Sequence, residues 1–188
     1  MRLSPFSSRE TDSASGATDK SDATGATAER GAKRRPVVEG LKGGLVATLV
    51  MTSYRLPIAR SLPPTAEFWS RYVAGGDPAD HPVTALALHL LYGTVGGGVF
   101  GALGSSSARR ASRPDAPTSG QRTARSELVG LLEGVGYALA LSAFGERVVL
   151  GRVLGMDLDR DESLVFHVGH LVYGLTLGTW VGSRTGAK

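Results

Sequence analysis

Three histidines lie within long apolar stretches of the sequence, where few other side chains could do chemistry. His89 and His170 each begin a row of residues spaced four apart, and His167 lies one helical turn before His170. Imidazoles in such a setting could ligate a transition metal, hold haem through a bis-histidine pair, or relay protons. They could instead hydrogen-bond to backbone or tyrosine oxygens and lock helices together, which is the interpretation we favour. We therefore predict no cofactor and leave the identity of any metal open.

Two oppositely charged residues, Lys42 and Glu133, lie inside the first and third apolar stretches. An alignment of these stretches places them opposite each other, and a pair there would hide both charges from lipid. The same pair could bind a proton or an ion. His89, His170, Lys42 and Glu133 would then be the polar stations of a small transporter or channel subunit.

The sequence favours a non-enzymatic role. It contains no cysteine, which excludes disulfides and thiol catalysis, and the motifs of serine hydrolases, phosphate loops and zinc proteases are absent. The polar residues of the apolar stretches look too dispersed for a nucleophile, a base and an orienting group. Asp157, Asp159 and Asp161 alternate like the start of a calcium loop, but Glu162 occupies the glycine position. Helix capping by Asp161 or Ser163 is expected there instead.

The elements that carry these residues are four apolar stretches in a chain of 188 residues, at positions 37–56, 83–103, 128–150 and 164–181. The second and fourth stretches contain no Asp, Glu, Lys or Arg. A helix needs about 20 apolar residues to cross a bilayer, whereas helices of a soluble bundle need a charged face. We therefore predict an all-α integral membrane four-helix bundle. The polar residues 1–36 are predicted to form a disordered cytoplasmic tail.

The distribution of Lys and Arg predicts how the membrane domain, residues 37–183, is oriented. These residues are more frequent on the side of the N-terminus than in the opposite loops, which predicts cytoplasmic N- and C-termini in the plasma membrane. Residues 184–188 then form a short cytoplasmic end, and residues 105–123 a flexible cytoplasmic loop. The pI of about 9.7 follows from this topology, so no nucleic-acid partner is expected.

The outer loop between the first two spans contains an aromatic segment, Thr65–Val73. Phe68, Trp69 and Tyr72 would share one side of a short helix there. Aromatic side chains of this kind are typical of helices that lie at the membrane interface. An aromatic patch that grips a ligand is the alternative.

The second and fourth stretches repeat one pattern, in which a His, a Leu, a Tyr and three glycines coincide at an offset of 81 positions. The glycines, spaced four apart, are Gly93, Gly97 and Gly101, and Gly174, Gly178 and Gly182. The first and third stretches match more weakly, with Leu41, Gly43 and Ala47 aligned to Leu132, Gly134 and Ala138. Small residues also recur at Gly40, Gly44, Thr48 and Thr52, and at Gly130, Gly134, Ala138 and Ser142. Such rows let helix backbones approach closely in lipid. We expect two tandem hairpins in parallel, with the two histidine-led rows facing each other in a central seam or serving a homodimer.

This arrangement resembles the functionally uncharacterised four-span membrane proteins of bacteria and archaea that carry glycine-rich helices. The resemblance covers about residues 37–183 and implies no particular activity. The sequence therefore predicts a multi-pass membrane protein with a structural or interaction role, whose partners are the lipid bilayer and a possible second copy. A small transporter and a haem- or metal-binding membrane protein are the alternatives, and the substrate of either is unknown.

Overall fold

The computed structural model describes residues 17–58, 63–110 and 119–186, and these residues form helices joined by short connections, with no strand among them. The predicted all-α fold is confirmed. The helices are α1 (Ala17–Arg55), α2 (Thr65–Trp69, continued by a π-helical turn at Ser70–Ala74), α3 (Pro82–Arg110), α4 (Ser119–Phe144, continued by a π-helical segment at Gly145–Leu154) and α5 (Arg160–Gly186). A short 3₁₀ turn, Pro78–Asp80, leads into α3.

Three segments in the described part of the chain are long and apolar enough to cross a membrane: Pro82–Gly104, Ala124–Leu154 and Arg160–Arg184. They contain the predicted second, third and fourth spans. The predicted first span, residues 37–56, is not among them, because Glu39, Lys42 and several small or hydroxylated residues dilute its hydropathy.

The helices are longer than the apolar stretches that predicted them. Helix α3 continues to Arg110 and α4 begins at Ser119, so helix occupies both ends of the segment predicted as a flexible loop. The middle of that loop, residues 111–118, lies outside the described residues. Helix α5 likewise runs past the predicted span into the predicted C-terminal end.

The chain divides into two compact units, Met1–Arg34 and Arg35–Lys188. Within the first unit the structure describes only helical backbone, from Ala17 onward. Residues 1–16 of the predicted tail lie outside the described residues, and the disorder of the tail stays a prediction. All contacts described below belong to the second unit.

Helices α4 and α5 are in backbone contact along their glycines. A Cβ atom placed on Gly134 would lie 2.7 Å from the Cα of Gly178, and one placed on Gly130 would lie 2.8 Å from the Cα of Gly182. Ordinary van der Waals contacts of a Cβ begin at about 3.4 Å. Only glycine therefore allows the two backbones to approach this closely, as in other tightly packed membrane helices.

Helices α1 and α3 meet in the same way. A Cβ atom on Gly44 would lie 2.8 Å from the Cα of Gly97, and one on Gly40 would lie 3.0 Å from the Cα of Gly101. The expectation that the rows of α3 and α5 face each other is therefore wrong. Each row faces the preceding long helix, because that helix carries small residues at matching four-residue steps. Both rows are thus covered within the chain.

An apolar cluster and two tyrosines join the two helix pairs. The buried cluster consists of Ala47, Met51, Phe100, Tyr173, Leu177 and Val181. The hydroxyl of Tyr173 on α5 donates a hydrogen bond to the Gly93 carbonyl on α3, at 2.7 Å. The hydroxyl of Tyr137 on α4 donates to the Gly96 carbonyl, at 2.8 Å. Glycine at both positions leaves these carbonyls open to side chains of the other pair.

At the end of the long helices that is predicted to be the outer end, α2 contacts both pairs. Arg71 donates a hydrogen bond to the carbonyl of Leu154, and Tyr72 donates to that of Val153 at 2.6 Å. These bonds satisfy carbonyls that the C-terminus of a helix leaves free. On the other side, the Thr65 hydroxyl donates to the carbonyl of Ala85 in α3, at 2.7 Å. The segment predicted as an interfacial helix is therefore helical and lies across the ends of α3 and α4.

The connection from α4 to α5 ends in a helix cap. The Asp159 carboxylate accepts a hydrogen bond from the Glu162 backbone N–H at 2.8 Å, and helix α5 begins at Arg160. Capping was expected here, but from Asp161 or Ser163. Those two residues already lie in the first turn, where helical backbone replaces the extended conformation that a capping residue needs.

Candidate functional site

A cavity of about 430 Å³ lies beneath α2 at the outer end of the long helices. It is lined by the C-terminal end of α1, by α2 and α3, by the π-helical end of α4, and by α5. Its volume is within the range of small-molecule sites, about 300–1,000 Å³.

The walls of the cavity are mostly hydrocarbon. Phe68 of α2, Leu88 and Val95 of α3, and Val149 and Leu150 of α4 contribute apolar surface. Val95 is 52% exposed, so the same side chain borders both the cavity and the outer surface of α3. That surface belongs to a helix apolar enough to cross a membrane. The cavity therefore adjoins the exposed apolar side of α3. Of the aromatic residues predicted as a ligand patch, Phe68 lines the cavity, whereas Trp69 and Tyr72 do not.

Two of the three predicted histidines, His89 and His170, line this cavity. The Nδ1 atom of His170 lies 2.9 Å from the Phe166 carbonyl, and a carbonyl can only accept a hydrogen bond. Nδ1 must then carry the proton, which leaves Nε2 free to accept in the neutral ring. His89 has no hydrogen-bond partner among the described residues. Each of the two rings therefore has a nitrogen atom near the cavity that makes no hydrogen bond to the described residues.

Arg55, the last residue of α1, is the third basic group of the cavity. Its aliphatic stem crosses α5 at Gly169, where an added Cβ would lie 3.6 Å from the Arg55 Cδ. Within the described residues its guanidinium has no hydrogen bond and no acid within ion-pair distance. Glu162 interacts with it electrostatically from farther away. Sequence analysis missed Arg55 because its position at the end of a span made it look like an ordinary loop arginine.

A smaller void of about 20 Å³ adjoins the same histidines. Thr48, Gly93 and Tyr173 are among its other lining residues. A volume of this size admits one water molecule. The void is therefore lined both by the two histidines and by Tyr173, a tyrosine that joins the two helix pairs.

His167 belongs to a separate group on the outer part of α4 and α5. Its Nε2 lies 3.0 Å from Glu146, its Nδ1 bonds to the Ser142 hydroxyl, and Ser163 donates to Glu146 at 2.6 Å. The expectation that polar residues are too dispersed for a hydroxyl, an imidazole and a carboxylate to meet is wrong. Ser142 and Glu146 are four apart, as are Ser163 and His167, and this spacing was the signal that could have revealed the group.

This group does not form an accessible active site. Ser142 has no exposed surface and lies where α4 and α5 are in close contact, so a substrate cannot approach its hydroxyl. A nucleophilic serine must be reachable by the atom that it attacks. The group instead joins α4 to α5 by side-chain hydrogen bonds, on the C-terminal side of the glycine contacts of α4.

The predicted pairing of Lys42 with Glu133 is also wrong. The Lys42 ammonium lies 3.1 Å from Glu39, and Arg184 of α5 lies 2.8 Å from the same carboxylate. Glu133 lies near Gly104 of α3 instead. The four predicted polar stations therefore do not share one space, since the apolar cluster lies between the inner-end charges and the histidines.

Among the described residues, no group of three or more His, Asp or Glu side chains is arranged to hold a metal ion. Comparison with protein-family models, with curated proteins and with solved structures found no match to this chain. The functional conclusion therefore depends on the geometry of the cavity.

Proposed function

We propose that the chain is a four-span membrane bundle of two tandem hairpins, α1 with α3 and α4 with α5. Their matching contacts support this proposal. Gly44 meets Gly97 as Gly134 meets Gly178, and in both pairs the contact continues one turn farther on. The glycines of α1 and α4 are 90 positions apart, and those of α3 and α5 are 81 apart. A duplicated hairpin with loops of different length accounts for both offsets.

Under this proposal α1 crosses the membrane despite its two charged residues. Glu39 and Lys42 lie near its inner end and pair with each other, and Glu39 also pairs with Arg184. Charges near the end of a span can reach the interface, where their cost is small. The sequence from Gly43 to Tyr54 contains no further formal charge.

The proposed location is the plasma membrane, with both termini in the cytoplasm. The excess of Lys and Arg on that side supports this orientation. Single cysteines provide the test, since the native chain has none. Ala79→Cys should react with an impermeant maleimide on intact cells, whereas Gly120→Cys should react only after permeabilisation. The reverse pattern would overturn the orientation.

The proposed function is non-enzymatic binding of a hydrocarbon chain in the outer-end cavity. The observation that carries it is the cavity itself, about 430 Å³ of mainly apolar lining beside the lipid-facing side of α3. A hydrocarbon chain could enter from the bilayer with little loss of solvation, because both environments are apolar. The buried Ser142 argues against catalysis, and the apolar cluster argues against a polar conduction path.

A pair of substitutions on α3 tests this binding. Val95 lines the cavity and is 52% exposed, whereas Val99, one turn away, is 47% exposed and does not line it. Val95→Trp should fill part of the cavity, and Val99→Trp should leave it open. We expect lipid adducts seen by native mass spectrometry of the detergent-purified protein to decrease in the first variant alone. Equal retention of lipid by both variants would contradict the proposal.

A further inference from the structure

Three basic side chains line the cavity, and no Asp or Glu is among its lining residues. Arg55 projects from the end of α1, His89 lies on α3, and His170 lies on α5. These three groups interact with one another electrostatically. The rest of the lining is largely aliphatic and aromatic, so the cavity has one basic end and otherwise apolar walls.

The positive charge of Arg55 is incompletely balanced. Its guanidinium provides five N–H donors in a planar fork, and none of them has a partner among the described residues. Glu162, the acid that acts on it electrostatically, lies beyond ion-pair distance. A guanidinium next to an apolar cavity is costly unless an anion pairs with it. The stem of Arg55 passes over Gly169 of α5.

We propose that the cavity binds a single-chain lipid with an anionic head group, a carboxylate or a phosphate, held by Arg55 and His89. This inference rests on the proposed function, binding of a hydrocarbon chain, and adds the chemistry of the head group. Arg55 pairs with the oxyanion through its fork of donors. His89, whose ring has no hydrogen-bond partner among the described residues, donates a further hydrogen bond to the oxyanion from its ring N–H. The chain extends along Leu88, Val95 and Val149.

Photo-crosslinking of the full chain in phosphatidylcholine nanodiscs tests this proposal. The probes are a photoactivatable fatty acid, the alkyl phosphate of the same chain, and the neutral alcohol of the same chain. The readout is the crosslinked fraction that maps to cavity residues. We expect each anionic probe to be captured at least about tenfold better than the alcohol, since a hydrogen-bonded charge contributes about that factor.

Substitutions of two arginines at the outer end separate a binding role from a structural one. Arg55→Met keeps an unbranched stem and removes the charge, and it should abolish the preference for the anionic probes. Arg55→Lys should restore part of that preference. Arg152→Met is the matched control, because Arg152 is exposed at the end of α4 and does not line the cavity. The gel-filtration profile of each variant reports whether it has folded.

The outcomes distinguish hydrocarbon binding from recognition of the anionic head group. Equal capture of the acid and the alcohol would overturn the anionic head group and leave hydrocarbon binding intact. Capture of no probe at the cavity would overturn both. An unchanged preference for the anions in folded Arg55→Met would overturn the role of Arg55, and with it the proposed site for the head group.

Discussion

The close approach of α4 and α5 gives a quantitative prediction for Gly134→Ala. The new Cβ would lie 2.7 Å from the Cα of Gly178, while an ordinary contact begins at about 3.4 Å. The helices must separate by at least about 0.7 Å, or the backbone must shift by that amount, because the Gly174 carbonyl oxygen would lie closer still and no flexible side chain is available to move. Overpacking of this kind costs about 1–3 kcal/mol, and separation also weakens the dispersion contacts along the row.

The control for this variant is Gly136→Ala, two positions away on the same helix. An added Cβ at Gly136 meets nothing within 4 Å, so that variant gains only the better helix propensity of alanine, up to about 1 kcal/mol. Both variants share this gain, and their difference isolates the helix contact. We expect Gly134→Ala to be less stable than Gly136→Ala by about 1–3 kcal/mol.

The measurement is the free energy of unfolding in mixed micelles titrated with a denaturing detergent, followed by tryptophan fluorescence. Near-equal stabilities of the two variants, within about 0.5 kcal/mol, would contradict the reasoning, because the typical cost of overpacking is larger than that. It would mean that the backbones of α4 and α5 are not in direct contact at Gly134.

Three further variants test the contacts that hold the helices together. Tyr173→Phe removes the hydrogen bond to the Gly93 carbonyl and should lower the free energy of unfolding by about 1 kcal/mol. No change would mean that this hydrogen bond adds nothing to the stability of the contact between the two pairs. Ser142→Ala leaves Nδ1 of His167 without its buried partner and should cost about 1–3 kcal/mol in the same titration; a neutral result would contradict the described bond. Arg71→Met removes the hydrogen bond to the carbonyl at the end of α4 and should accelerate proteolysis of the α2 segment. Proteolysis at the unchanged rate would show that the other contacts of α2 are enough to hold this segment in place.

The spans could be predicted because hydropathy sums over many residues, so that single errors have little effect. The ends of the helices could not be predicted in this way. Helix α3 continues to Arg110 beyond its apolar stretch, since backbone hydrogen bonds do not require an apolar side chain. Apolar stretches indicate the part of a helix that suits lipid and leave the length of the helix undetermined.

The glycine rows show what a spacing can and cannot predict. Four-residue steps identify the face of a helix that a neighbour approaches, but they do not identify the neighbour. The sequence alignment equated Gly43 with Gly134, whereas in the structure Gly44 occupies the corresponding contact. An error of one residue rotates a helix position by about 100°. That rotation is why Lys42 was assigned to the wrong partner.

The candidate site was found only in part. His89 and His170 stood out because polar residues are rare in their apolar stretches, and both line the cavity. Arg55 did not stand out, because arginine at the end of a span is common. The cavity itself depends on the position of α2, which is set by long-range hydrogen bonds such as that of Tyr72 to Val153.

The glycine contacts lie inside each pair of helices, and this has a consequence for motion. A rigid-body displacement of one pair against the other would leave the backbone contacts at glycine intact. It would disturb only links made by side chains, which include the two tyrosine bonds, the Glu39–Arg184 ion pair and the hydrogen bonds of α2. Residues from both pairs line the cavity, so such a displacement would change the width of its entrance. A disulfide engineered between α3 and α4, which belong to different pairs and meet at Gly96 and Tyr137, should therefore slow the exchange of a bound lipid with the surrounding bilayer.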